Sequence, residues 1–136
     1  MASAAPAAAI EARLRAQFTA APIRTANDPA ANPDVNDGAY VVLEFPGGTA
    51  AQITIGSPGS NLFRDLAVFM IHVFVPSQTG EQAARDMAAT IATIFRGKSF
   101  SGVDCQAPYP PQEDTGPNGN WFGVSFATPY KYDLLA

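Results

Sequence analysis

Three residues of this chain have side chains that invite chemistry: the sole histidine, His72, the sole cysteine, Cys105, and Ser125 in the stretch Gly123-Val-Ser-Phe-Ala127. A cysteine nucleophile needs a base to draw off its proton, and imidazole is the common choice. Cys105 with His72 as base is therefore the enzymatic arrangement to weigh, although no sequence feature brings the two together. His72 lies inside an apolar run, where a histidine more often serves as a hydrogen-bonded core or interface residue. One histidine and one cysteine also exclude an internal disulfide, a multi-cysteine zinc site and a two-histidine metal site within one subunit. Ser125 sits in a spacing like that of a nucleophile elbow. That serine must stand on a strand-to-helix turn, whereas the pattern around Ser125 reads as strand interior.

Two further motifs dissolve on inspection. Gly97-Lys-Ser99 matches the end of a phosphate-binding loop, but the earlier glycine would fall at Ala92 and the motif must open a helix. Here it closes one. Asp34-Val-Asn-Asp-Gly38 resembles a calcium loop, yet Ala39 and Phe45 occupy the positions where glycine and glutamate are required. It reads as a turn. One pattern stands out from the background. The segments 27–38 and 104–120 hold Asp28, Asp34, Asp37, Asp104, Glu113 and Asp114 and no lysine or arginine. Aspartate favours turns for local reasons, so a plain pair of polar loops is one reading. The functional reading is an acidic surface presented to a partner or lining a passage.

The elements that would position these residues are organised around residues 66–97. The run Leu66-Ala-Val-Phe-Met-Ile-His-Val-Phe-Val75 is almost wholly apolar and rich in β-branched and aromatic residues, which suits a central strand covered on both faces. Pro76 ends it. Thr79-Gly-Glu-Gln82 has the form of a capping box, and Ala84, Met87, Ala88, Ile91, Ile94 and Phe95 fall at helical spacing. Gly97 is placed to stop that helix in the left-handed conformation, with Arg96 and Lys98 near its negative end.

Before this unit, residues 5–20 read as a helix with Ser3 as cap, Pro6 in the first turn and a stripe of Ile10, Leu14 and Phe18. Residues 23–25 make a short extended piece, and 27–38 a loop. Residues 40–45 alternate as a strand, with Pro46-Gly-Gly48 as a turn into a hairpin partner at 51–55. Residues 56–60 break the pattern before the central strand begins near Leu62. After the second helix, 100–107 suits a strand and 108–120, rich in proline and glycine, reads as irregular. In the last strand, from Trp121, the residues Phe122, Val124, Phe126, Tyr130 and Tyr132 share one face, and Pro129 marks a bulge or an edge. The order α-β-β-β-α-β-β predicts an α+β fold: one mixed, mostly antiparallel sheet of about five strands with two helices packed on it.

At 136 residues the chain is expected to form a single domain over 1–136. Hydrophobic residues at 47% and charged residues at 15% place it among globular proteins. With 8 basic and 12 acidic residues the net charge is −4, which gives no general attraction to nucleic acid or anionic membrane. No apolar run approaches the roughly 20 residues of a membrane span. The alanine-rich start lacks the charged and apolar regions of a signal peptide and reads as a helix start.

The whole pattern resembles the phage tail-terminator-like family, whose fold and role are similar to those of the phage lambda tail terminator. The resemblance rests on Ile10-Glu-Ala-Arg-Leu14, Ala21-Pro-Ile23 and Asn27, then Val73-Phe-Val-Pro76 with Thr79-Gly-Glu81. It continues through Ile91-Ala-Thr-Ile-Phe-Arg-Gly97, Phe100, and Trp121 leading to Pro129-Tyr-Lys-Tyr-Asp133. It implies a structural protein of a phage or phage-like particle, without catalysis or cofactor. Such a protein forms a ring, as a rule a hexamer, that caps the tail tube and offers a surface to the head. The implied partners are further copies of the chain, the tail-tube protein and a head-completion protein, with DNA passing through unbound. The implied location is the tail or neck of the virion, assembled in the host cytoplasm. Another neck or connector protein of similar fold is the nearest alternative.

Overall fold

The apolar run at the centre of the sequence becomes the central strand of the sheet. In the computed structural model, which describes residues 4–25, 38–77, 80–115 and 121–136, β3 spans Leu62–Pro76. It is flanked on one side by β2 (Tyr40–Gln52) and on the other by β7 (Trp121–Leu135), both antiparallel to it. These three strands carry the fold. β1 (Ile23–Thr25) adds to β2 in parallel. The far side of β7 takes β5 (Val103–Cys105) near its end and β6 (Gln112–Thr115) near its start, with β4 (Ser99–Phe100) beyond β5. The mixed α+β sheet with two helices is as expected, but among the described residues it holds seven strands, not about five.

Both helices lie on one face. Ile10 and Leu14 of α1 (Ala5–Gln17) and Ala88, Ile91 and Phe95 of α2 (Glu81–Phe95) enter a core with alternate residues of β3, Phe69, Ile71, Val73 and Val75. Val41 and Leu43 of β2 and Val124, Phe126 and Tyr130 of β7 complete that layer, so the shared face expected for the last strand is present. The apolar stripe of α2 is thus spent on the sheet, as its spacing requires. Gly97 has φ 63°, the left-handed turn expected after this helix.

Several expectations are corrected. The helices cover the central strand on one face only; on the other, Val68, Met70 and His72 are half-exposed while Phe74 is buried in a second cluster. Pro46-Gly-Gly48 is not a hairpin turn. β2 runs straight through it with a bulge, Glu44 pairing Met70 and Gly47 pairing Val68, and the real hairpin partner is β3. An extra residue on one strand is what a bulge accommodates, and Gly48 fits because a Cβ there would lie 2.3 Å from the Leu66 carbonyl oxygen. Residues 100–107 are a small hairpin of β4 and β5, and the stretch expected to be irregular contains β6. Pro129 introduces no bulge. It pairs Val68 in an unbroken register, and its carbonyl accepts from Gln106 N–H on the opposite side. The expected capping box rests on Thr79, which lies outside the described residues; the N-cap of α2 is Gly80, and Gln82 Nε2 donates to Asp86 Oδ1 at 2.8 Å. α1 ends at Gln17, ahead of residue 20, and Ser3 lies outside the described residues.

Candidate assembly surface

Strand alternation sorts the chemistry-bearing residues onto two faces. Cys105 pairs with Tyr130 and belongs to the helix-side core. Burial pushes its thiol up to about 11, outweighing the opposing pull of Arg13. His72 points the other way, towards the uncovered face, in register with Val42 and Ser125. The sheet therefore stands between the thiol and the imidazole, and the Cys105–His72 pairing is ruled out by which face each occupies.

His72 instead joins two residues that sequence reasoning did not connect to it. Its Nε2 lies 2.7 Å from Glu44 Oε2 and its Nδ1 lies 2.6 Å from Ser125 Oγ. An ionised carboxylate only accepts, so in the neutral ring the proton sits on Nε2 and Nδ1 accepts from the serine hydroxyl. These partners are 28 and 53 residues away in sequence, and only the register of β2, β3 and β7 aligns them. Hydroxyl, imidazole and carboxylate in a row is the order of a hydrolytic triad. Here the row lies across a pleated sheet. Ser125 is paired with β3 on one side and β6 on the other, so the neighbouring backbone N–H groups are committed to ladders and none forms an oxyanion hole. The row is a polar clasp across three strands.

Above it on the same face, Tyr40, Phe74 and Trp121 form a second apolar cluster, with Tyr40 and Trp121 edge to face at 4.9 Å. Desolvation in this cluster raises the Tyr40 hydroxyl pKa, against the pull of Arg24, whose guanidinium lies 5.6 Å from the ring centre. Below it, Arg64 and Asp133 pair across β3 and β7 through two bonds of 2.8 and 3.1 Å. The Arg64 hydrogen bond holds the Asp133 carboxyl below its usual range.

Of the six acidic residues, only Asp104 and Glu113 have described side chains, and they lie on opposite faces of the sheet. Asp28, Asp34 and Asp37 lie outside the described residues. Asp104 is on the uncovered face, its carboxylate 3.5 Å from Lys131 Nζ. Glu113 is on the helix side, 3.8 Å from Arg85 of α2, and Asp114 follows it in β6 with its side chain outside the described part. For Asp104 and Glu113, the compensating charge comes from other elements, Lys131 of β7 and Arg85 of α2.

Beyond the helices, β2, β3 and β7 continue as a three-stranded arm. From Gly47 to Gln52 every residue of β2 is exposed. Of the six large hydrophobic residues exposed among those described, five belong to the arm or its base: Phe45, Ile53, Ile55, Leu66 and Leu135. Among the described residues no group of three or more His, Cys, Asp or Glu could hold a metal ion, and no helix is long and apolar enough to cross a membrane.

A family model described as phage tail terminator protein matches residues 7–130. No curated protein is similar enough in sequence to match. Among solved structures, one whose recorded name states no function is similar at 22% identity, over 100% of this chain and 96% of its own, with a TM-score of 0.65. A chain from the virion of a native gene transfer agent particle is similar at 15% identity, over 98% of this chain and 100% of its own, with a TM-score of 0.64. A sheath/tube terminator of an extracellular contractile injection system is similar at 14% identity, over 98% of this chain and 57% of its own, but at a TM-score of 0.42 it carries no argument. At these identities the structures attest the fold alone.

Proposed function

The chain belongs to the phage tail terminator family, and from that premise we propose that it forms a ring that caps the tail tube, ends its polymerisation and provides the surface to which the head joins. It is a structural protein of the virion tail, not a member of an enzyme class. The observation that carries the proposal is the family match over residues 7–130. The distribution of surface supports it. A terminator acts by adding a layer that tube subunits cannot extend, so its work is done by faces and edges. Among the described residues, the sheet face opposite the helices is partly exposed at Val68, Met70 and His72, and the arm is exposed.

The ring is a homo-oligomer, with six copies as the expected number, and its partners are the tail-tube protein on one side and a head-completion or connector protein on the other. A ring needs a heterologous interface whose rotation closes. DNA passes through it without specific binding, in keeping with the net charge of −4. The acidic loop 27–38, with Asp28, Asp34 and Asp37, is the segment proposed to line or rim the channel. Asp104, Glu113 and Asp114 remain candidates for partner contact, with Asp104 and Glu113 on opposite faces.

The test is negative-stain imaging of purified protein mixed with tail-tube subunits, preceded by light scattering for mass. Rings with a central hole on tube ends, together with shorter tubes, are the expected result. Tubes that grow at the same rate and to the same length, without rings, would reassign the protein to another position in the neck.

A further inference from the structure

Among the described residues the arm has two edges without a neighbouring strand, and they match one another. β1 pairs with β2 only over residues 41–43, so β2 has no outer neighbour from Gly47 to Gln52 among the described residues. On the other side, β5 pairs with β7 only over residues 130–132, so among the described residues 133–135 have no outer strand. Hydrogen bonds at the base of the arm set which groups face outward. Ile53 N–H donates to the Leu62 carbonyl, and Asn61 and Ala136 exchange bonds of 3.0 and 2.9 Å. By the alternation of an antiparallel ladder, Gly48, Ala50 and Gln52 turn their N–H and C=O groups away from β3, as do Asp133 and Leu135.

Such edges are normally blunted with charge. This one is not: residues 45–63 contain no charged side chain, and the tip carries Ile53 and Ile55 at 46% and 85% exposure. We propose that the arm joins subunits by strand addition, the β2 edge at residues 48–52 pairing in parallel with the β7 edge at residues 133–135 of a second copy of this chain. The inference rests on the ring reading above and names the surface that would close it.

A second copy fits for three reasons. β2 and β7 are both antiparallel to β3 and so run in the same direction; rotating one copy about an axis along the arm brings the two edges together in parallel. The charges at the β7 edge are already neutralised within one copy, Asp133 by Arg64 and Asp104 by Lys131, so joining the edges strands none. The contact is heterologous, each copy giving one edge and receiving the other, which propagates into a closed ring. With three strands from each of six copies the barrel would have about 18, a number that leaves an open channel. Pairing of β2 with β2 would instead be isologous and stop at a dimer.

In the proposed pairing, Ala50 bonds to Asp133 and Leu135 of the next copy and stands beside its Leu134, with both side chains on the same face. Within one copy, Ala50 and Leu134 share that face but are separated by β3. Two strand spacings, about 10 Å, exceed the roughly 7 Å that a disulfide can span. The experiment is mild oxidation of protein on tube ends, using the chain with both Ala50→Cys and Leu134→Cys, and a second with Gln52→Cys and Leu134→Cys for a register shifted by two. The expected result is a non-reducing ladder reaching the ring's copy number for one of these chains, with the buried Cys105 giving none in the unmodified protein.

Two results would overturn the inference while leaving the ring reading intact: rings seen on tube ends but no ladder from either chain, or dimers from Ala50→Cys alone. Unmodified protein that forms no rings and leaves tube growth unchanged would overturn the ring reading itself, and the inference with it.

Discussion

Cys105 is 6% exposed in the layer between sheet and helices, and its environment makes it a structural thiol. Burial raises its pKa from 9.0 to about 11, so the fold favours the neutral form. That contribution is whole below pH 9 and is lost as the pH rises through 11. Thermal melts of the native chain should therefore fall more steeply between pH 9 and 11 than those of Cys105→Ala; parallel curves would show that the thiol does not titrate with unfolding. On the same layer, Phe126 is 3% exposed. Phe126→Asp empties an aromatic site and buries a charge, a cost of about 3–5 kcal/mol or more against a total stability of about 5–15 kcal/mol. Loss of soluble, cooperative folding is expected. Glu113→Gln removes only an exposed partner of Arg85 at 3.8 Å and should shift stability by less than about 1 kcal/mol. A large drop in melting temperature would mean that the β6–α2 contact matters more than its geometry indicates. Composition revealed that Cys105 and His72 were the candidates; it could not reveal that they face opposite sides, because that depends on strand register set by distant residues.

At the scale of elements, the sequence was most legible where one segment carries its own period. α2 and the central strand lie close to where their apolar patterns put them, because a 3.6-residue stripe and an unbroken run of β-branched and aromatic residues ended by proline are set by local sequence. Legibility failed at Pro46-Gly-Gly48. Proline and glycine are turn residues, and the same residues are what a bulged edge strand needs: proline where no ladder donor is required, and glycine where the chain passes Leu66 too closely for a side chain. Only the partner strand decides between the two. Gly48→Val tests the account, since its Cβ would also meet Ala67 Cα at 2.4 Å. It should destabilise by about 1–3 kcal/mol through overpacking, measured by denaturant melts, and a neutral effect would mean that the arm is loose enough to move aside. β6 escaped notice for a related reason: four residues, Gln112–Thr115, form a strand only because β7 offers an edge.

The whole molecule divides into a body closed by helices and an arm exposed on both faces, and the division has a measurable dynamic consequence. Local opening costs least where few buried contacts must be broken. In the body, β3 packs between β2 and β7 beneath two helices, so the amides of Ile71, Val73 and Val124 should exchange at the rate set by global unfolding. In the arm the ladder to β3 is the main protection, and it reaches alternate residues only. Hydrogen exchange on the isolated chain should therefore show a sawtooth along β2, with Thr49, Ala51 and Ile53 slower than Gly48, Ala50 and Gln52, by tenfold or more. Assembly on tube ends should erase the sawtooth by slowing the second set, because a neighbouring strand would take those donors. If the sawtooth is present in the free chain and persists in assembled rings, the subunits meet elsewhere, and the partly exposed sheet face around Val68, Met70 and His72 becomes the surface to map next.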